Sequence, residues 1–259
     1  MMENRVLKKF KTGEKTIGTF SHIDSSTVME GLFYSGLDYV IIDTEHGPLL
    51  QEGAYKLIGA AMNSGLTPFV RIHEISRSAV LKNLDAGAMG LVVPCVETVE
   101  QVKKLVEYAK FAPIGKRGFC PTRDGGWGFE DHAKVMFEYM NTCNRETLLL
   151  PQCETVGCLN HIEEIAGMEG VDGIFVGPYD LSIDMGMPGE FENTEFKEAL
   201  KRILTACKNA NKLSVIFAGN EETAKKHLED GFDSVVIGVD VPVLINSYAR
   251  IVNNCRERM

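Results

Sequence analysis

Residues 148–182 read LLLPQCETVGCLNHIEEIAGMEGVDGIFVGPYDLS, and this stretch decides the fold. It opens on one short apolar run, Leu148–Cys153, and closes on another, Gly173–Val176. Neither run alternates apolar with polar, which is the pattern of a strand buried on both faces. Before the second run stands Gly170-Val171-Asp172. A Gly there ends a helix in a left-handed conformation, and the next strand begins at once. After each run come ionisable residues, Gln152-Cys153-Glu154 and Gly177-Pro178-Tyr179-Asp180. Strand, helix, strand, with chemistry after each strand, is the unit of a parallel α/β fold.

The same unit repeats outward in both directions. Further strand candidates are Thr16–His22, Tyr39–Asp43, Thr67–Ile72, Gly90–Cys95, Leu213–Phe217 and Ser234–Ile237, eight in all. The glycine turn recurs as SGLDYV, DGFDSVV and, without the Asp, AGAMGLVV. Helix periodicity marks Ser76–Ala86, Thr98–Phe111, Thr194–Asn211 and Glu221–Asp230. In the second of these, Val102, Leu105, Val106 and Ala109 form one stripe, and Thr98-x-x-Gln101 resembles a capping box. Eight such units in 259 residues predict a single (β/α)8 TIM-barrel domain spanning 1–259. An open doubly wound sheet would want a Gly-rich phosphate loop, and no G-x-G-x-x-G or G-x-x-x-x-G-K-[ST] is present. The one irregularity is an insertion at about 116–146, Gly-rich and aromatic first and helical afterwards. An insertion of that length is usually functional or intersubunit.

Composition narrows the function. Lys and Arg number 27 against 36 Asp and Glu, a formal charge of −9, which argues against nucleic acid or an anionic membrane as partner. No apolar run approaches the roughly 20 residues of a membrane span. Seven cysteines with no C-x-x-C pair read as reduced thiols, and the expected location is cytoplasmic.

In such a barrel the C-terminal strand ends carry the active site. Glu154 and Asp180 end adjacent strands, and two carboxylates with open positions between them suit a hard divalent ion. The alternative is that Asp180 caps a short helix and Glu154 is a solvated loop residue. His46 follows Asp43 and Glu45, and a His beside carboxylates titrates where a general base must. Arg71 emerges from an apolar strand over the mouth, where it suits an oxyanion or a salt bridge to Glu45 or Glu154. Gly177-Pro178-Tyr179 is either an anion-binding turn or an ordinary one. Cys95 and Cys153 are expected to pack, and His22 has no evident role.

Taken together, these segments resemble the HpcH/HpaI aldolase family of metal-dependent (class II) pyruvate aldolases. The resemblance rests on D-x-E-H-G after strand two, V-R after strand three, L-D-A-G-A-x-G-L-V-V-P into strand four, Q-x-E after strand five and G-P-x-D-L-S after strand six. It implies that Glu154 and Asp180 bind the metal, with Mg²⁺, Mn²⁺ and Co²⁺ all compatible. It implies His46 as base, Asp85 as the carboxylate partner of His46, and Arg71 as the enolate-stabilising group. Asp43 and Glu45 would support these, Glu45 by orienting water at the metal. Gln152, Gly177, Pro178, Tyr179 and Phe217 would contact substrate. The implied partners are a small 2-oxo acid and an aldehyde, and the implied assembly is a homo-oligomer, a dimer or a hexamer built from dimers. The dimer would exchange a terminal helix that includes Arg250–Arg258. Tyr179 and Phe217 are larger than the residues usual in that family and would narrow the aldehyde site. Arg123 and Trp127 of the insertion are candidates for the distal end of a substrate or for an interface.

The implied reaction cleaves a 4-hydroxy-2-oxo acid to pyruvate and an aldehyde. No strand end carries a Lys, so a Schiff-base mechanism is disfavoured. Replacing His46 or Arg71 by Ala is expected to lower turnover and leave the fold intact. Two other readings stand beside it. A lyase for CoA thioesters of the malyl or citramalyl type would need a basic groove, which the −9 charge disfavours. A non-catalytic protein binding pyruvate or oxalate would keep the site without turnover.

Overall fold

The computed structural model describes residues 3–257. Met1, Met2, Arg258 and Met259 lie outside the described residues, so the ends of the 1–259 domain and the last residue of the expected exchanged helix do too. Eight strands form a closed barrel in sequence order: β1 (Thr16–Ser21), β2 (Tyr39–Asp43), β3 (Thr67–Arg71), β4 (Gly90–Val93), β5 (Leu148–Cys153), β6 (Gly173–Val176), β7 (Leu213–Ala218) and β8 (Ser234–Val239). Every neighbouring pair is parallel, β8 closing on β1. No helix among the described residues is long and apolar enough to cross a membrane.

The two faces of each strand explain the unbroken apolar runs. Phe20, Tyr39, Ile41, Phe69, Val92, Leu150, Phe175 and Val215 fill the barrel interior. Val40, Ile42, Val70, Leu91, Leu149, Ile174 and Ile216 face the surrounding helices. Large rings inside demand space on the next strand. A Cβ at Gly18 would lie 2.5 Å from the Tyr39 ring, and one at Gly90 would lie 2.6 Å from Phe69. These strand glycines are therefore packing requirements.

The helix ends match the sequence signals closely. Thr98 and Gln101 form the reciprocal capping box ahead of the helix Val99–Ala109. Gly36, Gly87, Gly170 and Gly231 all have φ between +87° and +116° at the helix-to-strand joins. Strand ends differ by one or two residues. The fourth stops at Val93, because Cys95 takes φ +54° and leaves the sheet. The first stops at Ser21, where the following backbone turns to Asp240.

The insertion is ordered on the barrel flank. Two 3-10 turns, Arg123–Gly128 and Asp131–Ala133, precede a helix, Met136–Glu146. Arg117 is buried and donates to Asp85 at 2.8 Å and to Asp124 at 3.0 Å. Asp124, also buried, accepts from the Tyr139 hydroxyl at 2.8 Å. Asp124→Ala would leave Arg117 short of one counter-charge and the Tyr139 hydroxyl with only the Cys120 carbonyl, 3.4 Å away. We expect a loss of about 3–5 kcal/mol, measured by urea unfolding. Wild-type stability would show that the pair does not anchor the insertion.

Candidate active site

The strand register assembles the mouth. β2 and β3 pair so that Asp43 lies opposite Arg71. The two form a bidentate pair, Nε to Oδ1 at 2.9 Å and Nη2 to Oδ2 at 2.6 Å. Asp43 is fully buried, and Arg71 is nearly so. Burial pushes the Asp43 carboxyl up, but the Arg71 hydrogen bonds and charge outweigh it and hold it below the ordinary range. The third Arg71 nitrogen, Nη1, lies 3.2 Å from Glu45 Oε2, and the guanidinium sits 4.5 Å above the Phe20 ring. Arg71 is thereby locked by two carboxylates and an aromatic floor.

Glu154 stands across the mouth and is only 6% exposed. Its Oε1 accepts the Cys95 N–H at 2.6 Å, and its Oε2 meets the Gln152 amide. Burial pushes its carboxyl up to about 7; the Cys95 N–H pulls it down, and the charges of Glu45 and Asp180 push it further up. Glu45 is raised for the same first reason, with Arg71 and His46 opposing. Asp180 is exposed in the first turn of the helix Pro178–Asp184. That helix begins at Gly177 with no side-chain cap, so Asp180 caps nothing. Neither alternative, a solvated Glu154 or a capping Asp180, describes what the structure contains.

The remaining residues fall into place unevenly. Gly177 packs against the carboxylate, since a Cβ there would lie 2.8 Å from Gln152 Nε2 and 2.9 Å from Glu154 Oε2. Gln152 is buried with Oε1 unpartnered. Pro178 is buried; Tyr179 is half exposed, its ring 5.0 Å from Phe191 and 5.9 Å from Phe217. Phe217 in turn lies 5.9 Å from Phe20. An aromatic wall thus runs from beneath Arg71 to Tyr179. His46 projects into solvent with Nε2 3.8 Å from Glu45 Oε2.

The expected His46–Asp85 pair does not form within this chain. Asp85 ends the helix Arg77–Asp85, and its carboxylate is taken by the buried Arg117. The carboxylate facing the His46 imidazole is that of Glu45, 3.8 Å from Nε2. Cys95 is a second correction. It is exposed rather than packed, and its left-handed backbone aims its amide at Glu154. Strained backbone of this kind is typical of working sites. Cys153 is buried as expected. Arg123 stacks on Tyr55 and donates to Ala86 O at 3.2 Å, while Trp127 is exposed. Two supporting residues were not legible as such: His22, 2.8 Å from Asp43, and Asp240, which fixes the backbone after β1. Their one signal was their position at strand ends.

The donor set fits a hard divalent ion. The charges of Glu45 and Asp180 both bear on Glu154, and that of Asp180 bears on Glu45 as well, with the Arg71 guanidinium opposing them. A carboxyl pushed up by burial and by neighbouring carboxylates, beside an orphaned amide oxygen on Gln152, is the donor chemistry of an oxygen-ligand cation site. Among the described residues no three His, Cys, Asp or Glu side chains converge to hold an ion unaided. Two carboxylates with other positions left to substrate and water is the arrangement Mg²⁺ favours.

A closed parallel barrel with its ionisable groups gathered at the C-terminal rim is the architecture of barrel enzymes. The family model described as HpcH/HpaI aldolase/citrate lyase matches residues 16–247, and the chain belongs to that family. The 2-keto-3-deoxy-L-rhamnonate aldolase of Klebsiella pneumoniae is 31% identical over 242 residues, 93% of this chain and 88% of that protein. The 4-hydroxy-2-oxo-heptane-1,7-dioate aldolase of Shigella flexneri is 31% identical over 245 residues, covering 94% and 90%. Among solved structures, an HpcH/HpaI aldolase/citrate lyase family protein from Burkholderia cenocepacia superposes with a TM-score of 0.89 at 28% identity, over 98% of this chain and 99% of that one.

Proposed function

We propose that this protein is a divalent-metal-dependent carbon–carbon lyase, a class II aldolase. It reversibly cleaves a 4-hydroxy-2-oxo acid to pyruvate and an aldehyde. The observation that carries the reading is the mouth itself: a buried Glu154 within reach of the Asp180 charge, opposite an Arg71 held rigid by Asp43. The names of the two curated relatives, both aldolases of 2-oxo acids, support the substrate class.

Glu154 and Asp180 would hold the ion, and Mg²⁺, Mn²⁺ and Co²⁺ all suit such oxygen ligands. When bound, the ion supplies Lewis acidity at the 2-oxo group. The chain's own residues do the rest. Gln152 and the turn at Gly177, Pro178 and Tyr179 orient the 2-oxo acid end. His46, as the neutral imidazole, takes the proton of the 4-hydroxyl, and Glu45 stabilises the resulting imidazolium. The C3–C4 bond breaks, its electron pair passes to C3 and the 2-oxo oxygen, and the aldehyde leaves along the Phe217–Tyr179 wall. Arg71 offsets the charge that develops on that oxygen. The imidazolium then returns its proton, directly or through water, to C3, which gives pyruvate and restores the base.

The assembly and location belong to the same proposal. Val243, Leu244, Ile245, Tyr248 and Ile251 are exposed along the helix Asp240–Arg256, which supports a homo-oligomer built by pairing this helix with a second copy. Seven free thiols, four of them buried, support a reducing, cytoplasmic location.

The test is pyruvate release over a panel of 4-hydroxy-2-oxo acids with different tails. Activity should vanish with EDTA and return with Mn²⁺ or Mg²⁺. His46→Ala should lower kcat by about 10²–10⁴-fold with no change in melting, because the side chain is largely exposed. Chelator-insensitive activity, or activity trapped by borohydride, would reject the proposal.

A further inference from the structure

We infer that His22 is a positioning residue for the enolate chemistry: it locks the Asp43 carboxylate, which aims Arg71 and the loop bearing His46. The inference rests on the proposed role of Arg71 above.

Register brings His22 to its partner. Ser21 of β1 lies opposite Ile42 of β2, so the next residues, His22 and Asp43, stand side by side at the mouth. The His22 backbone is itself fixed. Its N–H lies 3.0 and 3.1 Å from the two oxygens of Asp240, and the Ile23 N–H and Ser21 hydroxyl reach Asp240 Oδ2 at 3.1 and 2.7 Å. The side chain therefore starts from a rigid point, and its Nε2 sits 2.8 Å from Asp43 Oδ2. An ionised Asp43 only accepts hydrogen bonds, so Nε2 carries the hydrogen.

Asp43 has no spare capacity. Oδ2 takes Arg71 Nη2 as well as His22, and Oδ1 takes Arg71 Nε and the Glu45 N–H at 3.0 Å, with the His46 N–H at 3.5 Å. A carboxylate offers about four lone-pair sites. Its torsion is set by donors on both oxygens. Without His22, Oδ2 keeps a single partner, and the carboxylate can rotate with the guanidinium it holds. Glu45 and His46 hang on the other oxygen and would move with it. The ring also lies against Gly47, where a Cβ would come 3.4 Å from His22 Cδ2, so it covers the loop as well. β1 and the residue after it add two supports to Arg71: Phe20 below it and His22 behind its partner.

His22 does not need to touch substrate to act in this way, so the test must separate positioning from stability. Gln carries an amide nitrogen where the imidazole has Nε2; Asn carries one where it has Nδ1, too short to reach Asp43. The reading is exchange of the pyruvate methyl protons in D2O, measured by NMR with Mn²⁺ or Mg²⁺ present and no aldehyde. His22→Asn should slow kcat for exchange about tenfold, the scale of losing a group that orients a working residue, with KM for pyruvate within about twofold. His22→Gln should recover most of the rate, and both variants should melt like the unsubstituted protein. An unchanged rate in His22→Asn, or equal loss in both variants with intact melting, would overturn the inference. Should His22→Asn melt early, recovery of rate by His22→Gln still decides for it and failure to recover decides against. Absence of exchange in the unsubstituted protein would overturn the enolate reading itself, and this assignment with it.

Discussion

Arg71→Ala is expected to lower turnover by about 10²–10³-fold and, in the same molecule, to destabilise the fold by about 3–5 kcal/mol. The first effect is that of removing one fixed donor from a developing oxyanion. The second has a different origin. Asp43 is fully buried, and Arg71 is its bidentate counter-ion. Truncating Arg71 leaves that charge with only His22 and backbone N–H groups. From the sequence alone, this substitution touches chemistry and spares the fold. The bidentate pair overturns that expectation. Arg71→Lys keeps a positive charge but loses the planar fork, so it should recover stability more than rate. Steady-state pyruvate release and urea unfolding on the same preparations separate the two effects. Wild-type stability in Arg71→Ala would show that Asp43 does not depend on it. Wild-type turnover would remove Arg71 from the chemistry.

Affinity for the divalent ion, and turnover with it, should rise with pH through about 7. Burial pushes the Glu154 carboxyl from 4.5 to about 7, with Glu45 and Asp180 adding to the shift. Below that value the group is protonated and a poor ligand; above it, it is a carboxylate. Ion binding below the transition should therefore release a proton. The effect on stability is opposite in sign to that of an ordinary salt-bridged acid. Because the folded value lies above the unfolded one, the contribution of Glu154 is fully present below about 4.5 and is lost as pH rises through about 7. The ion-free protein should lose this contribution over that window, and added Mn²⁺ should raise the melting temperature most on the alkaline side. Calorimetric Mn²⁺ titrations on either side of the transition read the affinity. Glu154→Gln should remove the pH dependence. Its loss of affinity should exceed the roughly 10–100-fold that deleting a mere supporting partner costs. An affinity flat across the transition would remove Glu154 from the ligand set.

Much of the fold was legible because its signals are local. Apolar runs without alternation mark strands covered on both sides, and Val40 and Ile41 show why: one faces the helices, the other the interior. Gly36, Gly87, Gly170 and Gly231 announce the joins because only a residue without Cβ takes those φ values cheaply. The capping box at Thr98 is a short-range hydrogen-bond exchange and needs nothing beyond its own turn. Glu154, Asp180, Arg71 and Asp43 were legible for a related reason: in this architecture, residues at or just past the C-terminal end of a strand face the mouth.

The partnerships were not legible, because they depend on register and on chain segments far apart. Asp85 ends a helix and has His46 as its expected partner, yet Arg117 of the insertion reaches it first. Cys95 reads as packing because no His pairs with it along the sequence, but a backbone torsion turns its amide to Glu154 and leaves the residue exposed. His22 carries no signal of its own, since its meaning comes from Asp43 on one neighbouring strand and Asp240 at the far end of the chain.

By itself, then, the sequence determined one barrel, the order of its strands and which residues stand on its rim. These features come from periodicity and from the chain direction, which every parallel strand shares. Only the tertiary structure decided which rim residues hold one another: Arg71 by Asp43 and Glu45, Asp43 by His22, Glu154 by Cys95 and Gln152. The physical reason is burial. A buried carboxylate takes whichever donors the closed barrel brings within about 3 Å, and the closing of eight strands, rather than spacing along the chain, sets which donors those are.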